Sequence, residues 1–310
     1  MAAVSAQQVT PAHNLSISAR TEAAGVQIQR TSEHQIPRGN VTAELKFYAP
    51  PEDGSVPYNW VEPQPEGVPQ YNYGTSTHNV TIHDIRGDEA SYTLDKDAFA
   101  VVQNVVSQGE TEFVDDDHIK KHYYPEVEKV ILDNVPGSYK IFIFDHTIRR
   151  AVAGAKRGPV NRTHIDQTAD SAKVRVEVHL PDEAEKLLQG RYRIVNVWRP
   201  LNGPVVAQPL SFASSYTVLD EDLIPVEHRY PHRTGYTASV KYNPQQRWNY
   251  LSGMKNDERI LLECFDSEAL KEGSGVKGGR VPHSAFVDPR TPEGAPSRES
   301  IEVRALVFGP

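Results

Sequence analysis

The stretch Asn161-Arg-Thr-His-Ile-Asp-Gln-Thr168 sets a histidine and an aspartate two positions apart, His164 and Asp166. Thr163, Ile165 and Thr168 around them favour extended backbone. On a strand the side-chain period is two, so His164 and Asp166 leave the same face. An imidazole and a carboxylate on one face can grip one divalent ion. A second imidazole would complete a 2-His-1-carboxylate set with coordination positions left open, and His283 in Pro282-His-Ser-Ala-Phe286 is the candidate for it. Alone, His-x-Asp is as much at home on a polar surface strand.

The C-terminus adds a second kind of chemistry. Arg298-Glu-Ser-Ile-Glu-Val-Arg-Ala-Leu-Val-Phe308 alternates like a half-buried strand. Arg298 and Ser300 then share a face, and a planar guanidinium fork beside a hydroxyl is a receptor for a carboxylate. Arg304 alternates with Ser300 and Glu302 on that face and either backs up the same receptor or pairs with the neighbours of Glu302. His-x-Asp, a distant His and then Arg-x-Ser resembles the order found in Fe(II)/2-oxoglutarate-dependent oxygenases. In that superfamily the Arg and Ser hold the distal carboxylate of the co-substrate. The gap from His283 to Arg298 is a little longer than is usual there. The turn-rich Asp288-Pro-Arg-Thr-Pro-Glu-Gly-Ala-Pro296 absorbs the excess.

These residues must be positioned by a chain of 310 residues, enough for one large domain or two small ones. Its 23 prolines favour short strands and turns over long helices. A formal charge of −8 argues against a nucleic-acid partner. The single cysteine, Cys264 in Ile260-Leu-Leu-Glu-Cys-Phe265, excludes a disulfide framework and reads as core. Met1-Ala-Ala-Val-Ser-Ala-Gln-Gln8 lacks the basic segment and apolar run of a secretory signal, and no run reaches membrane-spanning length. The expectation is a soluble cytoplasmic protein, with the sequons at Asn14, Asn40, Asn79 and Asn161 as chance matches.

Along the chain, residues 1–40 read as a flexible arm and 41–310 as one domain. Strands are expected at 41–48, 78–85, 139–144, 191–198, 205–219, 237–242, 248–251, 259–265 and 298–308, and a long loop over 50–73. Helices are expected at 98–106, from the Asp115-Asp-Asp117 cap to Asn134 with a break at Pro125, and at 184–188. Residues 151–160 form a flexible approach to the His-x-Asp stretch. Short strands crowded behind early helices give an α+β, mainly β fold: a double-stranded β-helix (jelly-roll or cupin) core with an N-terminal helical layer.

Several phrases narrow the resemblance. They are Tyr123-Tyr-Pro-Glu-Val-Glu128, Ile143-Phe-Asp-His-Thr-Ile-Arg-Arg150, Val160-Asn-Arg-Thr-His-Ile-Asp166, Val195-Asn-Val-Trp-Arg-Pro-Leu-Asn-Gly-Pro-Val205 and His283-Ser-Ala-Phe-Val-Asp-Pro289. Together with the Arg298 strand they are similar to the gibberellin-desaturase-like family of fungal proteins, which includes relatives of a bacterial cephem-methoxylase subunit. The similarity covers roughly residues 40–308. It implies Fe(II) at His164, Asp166 and His283, 2-oxoglutarate at Arg298 and Ser300, and O2 as second co-substrate. The substrate it implies is a small secondary-metabolite intermediate that is hydroxylated, desaturated or rearranged. Ile165-Asp166-Gln167 departs from the Asn-Asp-Tyr of many relatives, which leaves the metal ligand intact and alters the pocket beside it.

Other arrangements compete. His118 and His122 have helical spacing with Glu126 one turn on, but Lys120 and Lys121 surround them and a solvated helix face is the simpler reading. His228 and His232 bracket Pro231, so no continuous helix presents both. Asp145-His146 reads as a polar network near the sheet. No Gly-x-Ser-x-Gly elbow supports a hydrolase nucleophile. Asn196, Trp198, Tyr242 and Trp248 are candidates to line a substrate pocket. Two alternatives stay open: a non-catalytic jelly-roll subunit of a heteromeric oxygenase, and a zinc cupin-type hydrolase or isomerase. The resemblance leaves homo- and hetero-dimers both open.

Overall fold

Alternation along Glu299–Phe308 sorts the molecule into layers. The computed structural model describes residues 35–61, 63–150 and 158–309, so residues 1–34 of the expected arm and most of the 151–160 approach lie outside the described residues. One five-stranded antiparallel sheet runs β4 (Phe99–Val102), β12 (Arg259–Asp266), β7 (Tyr192–Pro200), β14 (Glu299–Phe308) and β5 (Lys140–Arg150). The other sheet has nine strands. In order they are β1 (Val41–Ala49), β3 (Gly74–Asp84), β11 (Trp248–Tyr250), β8 (Leu210–Ala213), β13 (His283–Ala285), β6 (His164–Ile165), β10 (Arg233–Val240), β9 (Leu223–Tyr230) and β2 (Tyr58–Trp60). The helices are α1 (Leu94–Asp97), α2 (Asp116–His122), α3 (Tyr124–Asn134), α4 (Ala169–His179) and α5 (Ala184–Leu187).

Ile301, Val303, Ala305 and Val307 of β14 share an apolar cluster with Val195 and Val197 of β7, and with Ile119, Val127 and Ile131 of α2 and α3. Full burial of each such side chain is worth about 1.5–3 kcal/mol, which fixes the helical layer on this sheet. α2 starts where Asp115 accepts from the His118 N–H at 2.7 Å, the N-cap that the acidic run foretells. The opposite sheet face meets the nine-stranded sheet through Trp198, Ile260, Leu262, Phe99, Phe212 and Leu210. Four strands of each sheet, β5, β14, β7, β12 and β6, β13, β8, β11, make the expected jelly roll. Across the far face of the large sheet, Leu45 and Phe47 of β1 cover Trp248, Tyr250 and Val240. There the Thr163 N–H reaches the Lys46 carbonyl at 2.9 Å, tying β1 to the chain just before β6.

Several elements differ from expectation. Residues 98–106 are not helical: Ala98 adopts φ +62° after α1, and Phe99–Val102 pairs antiparallel with β12. A run of buried residues satisfies a helical stripe and a central strand equally, and the ladder decides. The helix α4 was not foreseen; Ala172 and Val176 are buried while Val174 and Val178 face solvent, so its apolar residues mark no single stripe. The hairpin β9–β10 extends the sheet past β6, and the strand expected over 205–219 shrinks to β8 and a 3-10 turn. Among the described residues no helix is long and apolar enough to cross a membrane.

Candidate active site

β6 is only two residues long and is held on both sides. His164 pairs directly with His283 of β13 and with Ser239 of β10. Opposed residues of an antiparallel pair share a face, so the two imidazoles meet with ring centroids 4.4 Å apart. Asp166 leaves the end of β6, before Thr168 caps α4 by accepting from the Ser171 N–H. One ligand atom from each of His164, Asp166 and His283 lies within 4.8 Å of the others. Each Nδ1 sits against a carbonyl, 2.8 Å from Arg162 O for His164 and 3.1 Å from Val281 O for His283. A carbonyl only accepts, so both Nδ1 atoms carry the proton and both Nε2 lone pairs are free for a metal.

The carboxylate is fixed just as firmly. Asp166 Oδ2 accepts from Asn196 Nδ2 at 2.8 Å and from Arg304 Nε at 3.0 Å. Oδ1 stands 3.4 Å from His164 Nε2. Burial alone would raise the Asp166 pKa, but the Arg304 guanidinium and both histidines outweigh it and hold the group well below the usual carboxylate range. Burial, then the neighbouring His164, pushes His283 down to about 4, so its ring is neutral at physiological pH, the ligand form.

Arg304 is fully occupied. Besides Asp166 it donates to Asp145 Oδ1 at 2.9 Å and Thr147 Oγ1 at 3.1 Å, and it pairs with Glu302. It is therefore not a reserve carboxylate receptor, because three acids of the chain already claim it. Arg298 is the opposite case. It is 3 % exposed, donates one bond to the Gln208 carbonyl at 2.9 Å, and lies over the Trp198 ring at 5.2 Å. Its Nε has no hydrogen-bond partner, and no carboxylate of the described residues lies within 4.0 Å. Burial, with Arg149 nearby, lowers its pKa to about 9. A buried cation without a counter-ion is costly, and an anionic ligand would relieve that cost. One cleft is lined by His164, His283, Arg149, Trp198, Arg298 and Glu302, so the two histidines of the candidate triad and this guanidinium face the same space. Ser300 is buried on the same strand face, opposite Arg149 in register.

Asn196 and Trp198 reach this region, Asn196 as a partner of Asp166 and Trp198 as cleft wall. Tyr242 and Trp248 do not. Trp248 pairs with Ala213 while Asn249 pairs with Phe212, so alternation turns Trp248 to the far face of the sheet against Phe47. The Tyr242 ring stacks on His78 at 3.8 Å on the β1–β3 side. The helical His pair also assembles no site: His118 pairs with Glu110, and Glu126 accepts from the Gln108 and Gly109 amides. Asp145 turns inward to Arg304 while His146 meets the Tyr124 hydroxyl at 2.9 Å. Among the described residues no second group of His, Cys, Asp or Glu converges as the triad does. Arg149 was missed, because it enters the cleft only through the non-local pairing of β5 with β14.

A family model described as "Oxidoreductase/YMDC permease-like domain" matches residues 45–308. The hydroxylase/desaturase poxK of Penicillium oxalicum is 40% identical over 300 residues, covering 88% of this chain and 92% of the relative. The Fe(II)/2-oxoglutarate-dependent dioxygenase nvfI of Aspergillus novofumigatus is 32% identical over 259 residues, covering 81% and 90%. A solved structure of the iron and alpha-ketoglutarate-dependent endoperoxidase NvfI superposes with a TM-score of 0.79 at 30% identity, covering 88% of this chain and 99% of that one.

Proposed function

We propose a mechanism from one premise: the chain belongs to the Fe(II)/2-oxoglutarate-dependent dioxygenases, among the hydroxylases and desaturases of fungal secondary metabolism. His164, Asp166 and His283 hold the Fe(II), and Arg298 with Ser300 receives the distal carboxylate of 2-oxoglutarate. Residues 41–310 act as one catalytic domain on a small-molecule substrate. The fit rests on two features, the paired Nε2 lone pairs beside an ionised carboxylate and the orphaned Nε of a buried arginine. When bound, iron and 2-oxoglutarate supply the oxidising power to attack an unactivated C–H bond of that substrate.

The chain's own part is positional and electrostatic. Carbonyls of Arg162 and Val281 fix the ring orientation and tautomer of the two histidines. Asn196 and Arg304 commit Oδ2 of Asp166, so Oδ1 is the oxygen offered to the metal. Arg298 anchors the co-substrate's far end in a site from which water is largely excluded, where a charge-assisted pair is stronger than in solvent. A zinc hydrolase on the same triad would leave that guanidinium without a purpose. Arg298 carries the reading. The test is O2 uptake and succinate release by the purified chain: both should require Fe(II) and 2-oxoglutarate together, and uptake unaffected by omitting 2-oxoglutarate overturns the reading.

A further inference from the structure

Arg175 of α4 is a half-buried guanidinium that no acid of the described residues claims within 4.0 Å. Its Nε donates to Gln167 Oε1 at 3.0 Å, and Gln167 directly follows the metal-ligand candidate Asp166. Its guanidinium carbon lies over the Phe144 ring of β5, 4.4 Å from the centroid. The charges that bear on it are Asp145, Arg304, Asp166 and Arg233. Both acids hold other partners: Asp145 Oδ1 accepts from Arg304, and Asp166 Oδ2 from Arg304 and Asn196. Arg233 is a second cation, laid on the Tyr230 ring at 3.8 Å, and alternation along β10 puts it on the strand face of Ser239, the residue opposite His164. It too has no acid within 4.0 Å among the described residues. On a chain of net charge −8, Arg175 is thus a cation without an acid partner among the described residues, tied to the residue that follows Asp166.

With Nε held by Gln167, the Arg175 Nη groups remain as a fork matched to a carboxylate. We propose that Arg175 receives a carboxylate of the organic substrate, so that this enzyme oxidises small organic acids. The proposal rests on the iron and 2-oxoglutarate reading of the triad and Arg298, and it names the substrate class that reading leaves unspecified. Arg298 cannot supply this contact in turnover, because the co-substrate occupies it.

The test uses the full chain without O2, loaded with Fe(II) and saturating 2-oxoglutarate, with 2-naphthoate and its uncharged analogue 2-naphthamide as probes. Binding is read from broadening of the probe proton resonances by the paramagnetic iron. The wild type should hold naphthoate about ten- to a hundredfold more tightly than naphthamide, the range expected of a charge-assisted pair. Arg175→Gln should erase most of that preference, Arg175→Lys should retain part of it, and both should leave the visible 2-oxoglutarate band titrating as in wild type. Equal affinities in the wild type, no naphthoate binding, or an undiminished preference in Arg175→Gln each overturn the receptor. The band is measured first. Its absence overturns the iron reading, and calorimetry of the two probes on the same protein then decides the Arg175 receptor separately.

Discussion

Arg298 and Arg304 stand at two points along the same inward strand face, both largely buried, and their surroundings differ completely. Around Arg304 the chain supplies Asp166, Asp145 and Glu302. Around Arg298 it supplies one carbonyl, an aromatic ring and another cation, Arg149, while the acid that bears on it, Glu302, is paired with Arg304. A buried guanidinium saturated by its own chain is scaffold, and its task is to orient what it touches. One left short of a counter-ion is a receptor, since its burial becomes favourable only when an anion arrives. The same test separates Arg304 from Arg175.

The largest effect should come from the triad, where both regions meet. Asp166→Ala removes a ligand and the shared partner of Asn196 and Arg304, so the Fe(II) dissociation constant should rise by more than about a hundredfold, beyond the 10–100-fold typical of outer partners. Equilibrium dialysis with Fe(II) checks this. Next, Arg298→Ala should cost ~2–5 kcal/mol of co-substrate binding, a roughly thirty- to several-thousand-fold rise in the 2-oxoglutarate constant. Arg298→Lys should recover part of the loss, and succinate formation against 2-oxoglutarate concentration reads both. Asn196→Ala should weaken Fe(II) by about 10–100-fold and change the 2-oxoglutarate constant far less, as separate titrations would show. The comparison breaks if Asn196→Ala behaves like Arg298→Ala. Smallest is Ile301→Val on the helix-covered face of β14: about 0.5–1.5 kcal/mol of stability by urea unfolding, with metal and co-substrate constants unchanged.

The pairing of His164 with Asp166 was legible because its information is local, whereas His283 joins them through the pairing of β13 with β6. His164 and Asp166 are read from strand period, and β14 alternates so regularly that the pattern alone puts Arg298, Ser300, Glu302 and Arg304 on one face. Which of the two arginines is free was not legible, because Asp145 reaches Arg304 only through the pairing of β5 with β14. Trp248 was misplaced for the same reason: period two fixes that Trp248 and Tyr250 share a face, not which face looks at the metal. Phe99–Val102 shows local pattern losing to a distant partner, β12. The α4 helix lacks a clean apolar stripe, and with it went Arg175.

The most direct measurement is an anaerobic titration of the Fe(II)-loaded chain with 2-oxoglutarate, following the weak visible charge-transfer band of the chelate, on wild type, Arg298→Ala and Arg304→Ala. The band should form in wild type, shift to far higher 2-oxoglutarate concentration in Arg298→Ala with Fe(II) affinity unaltered, and in Arg304→Ala weaken only as far as Fe(II) itself is lost. A band that forms as readily in Arg298→Ala as in wild type would contradict the assignment of Arg298 as the receptor. If it also failed in Arg304→Ala at full Fe(II) occupancy, the receptor would move to Arg304.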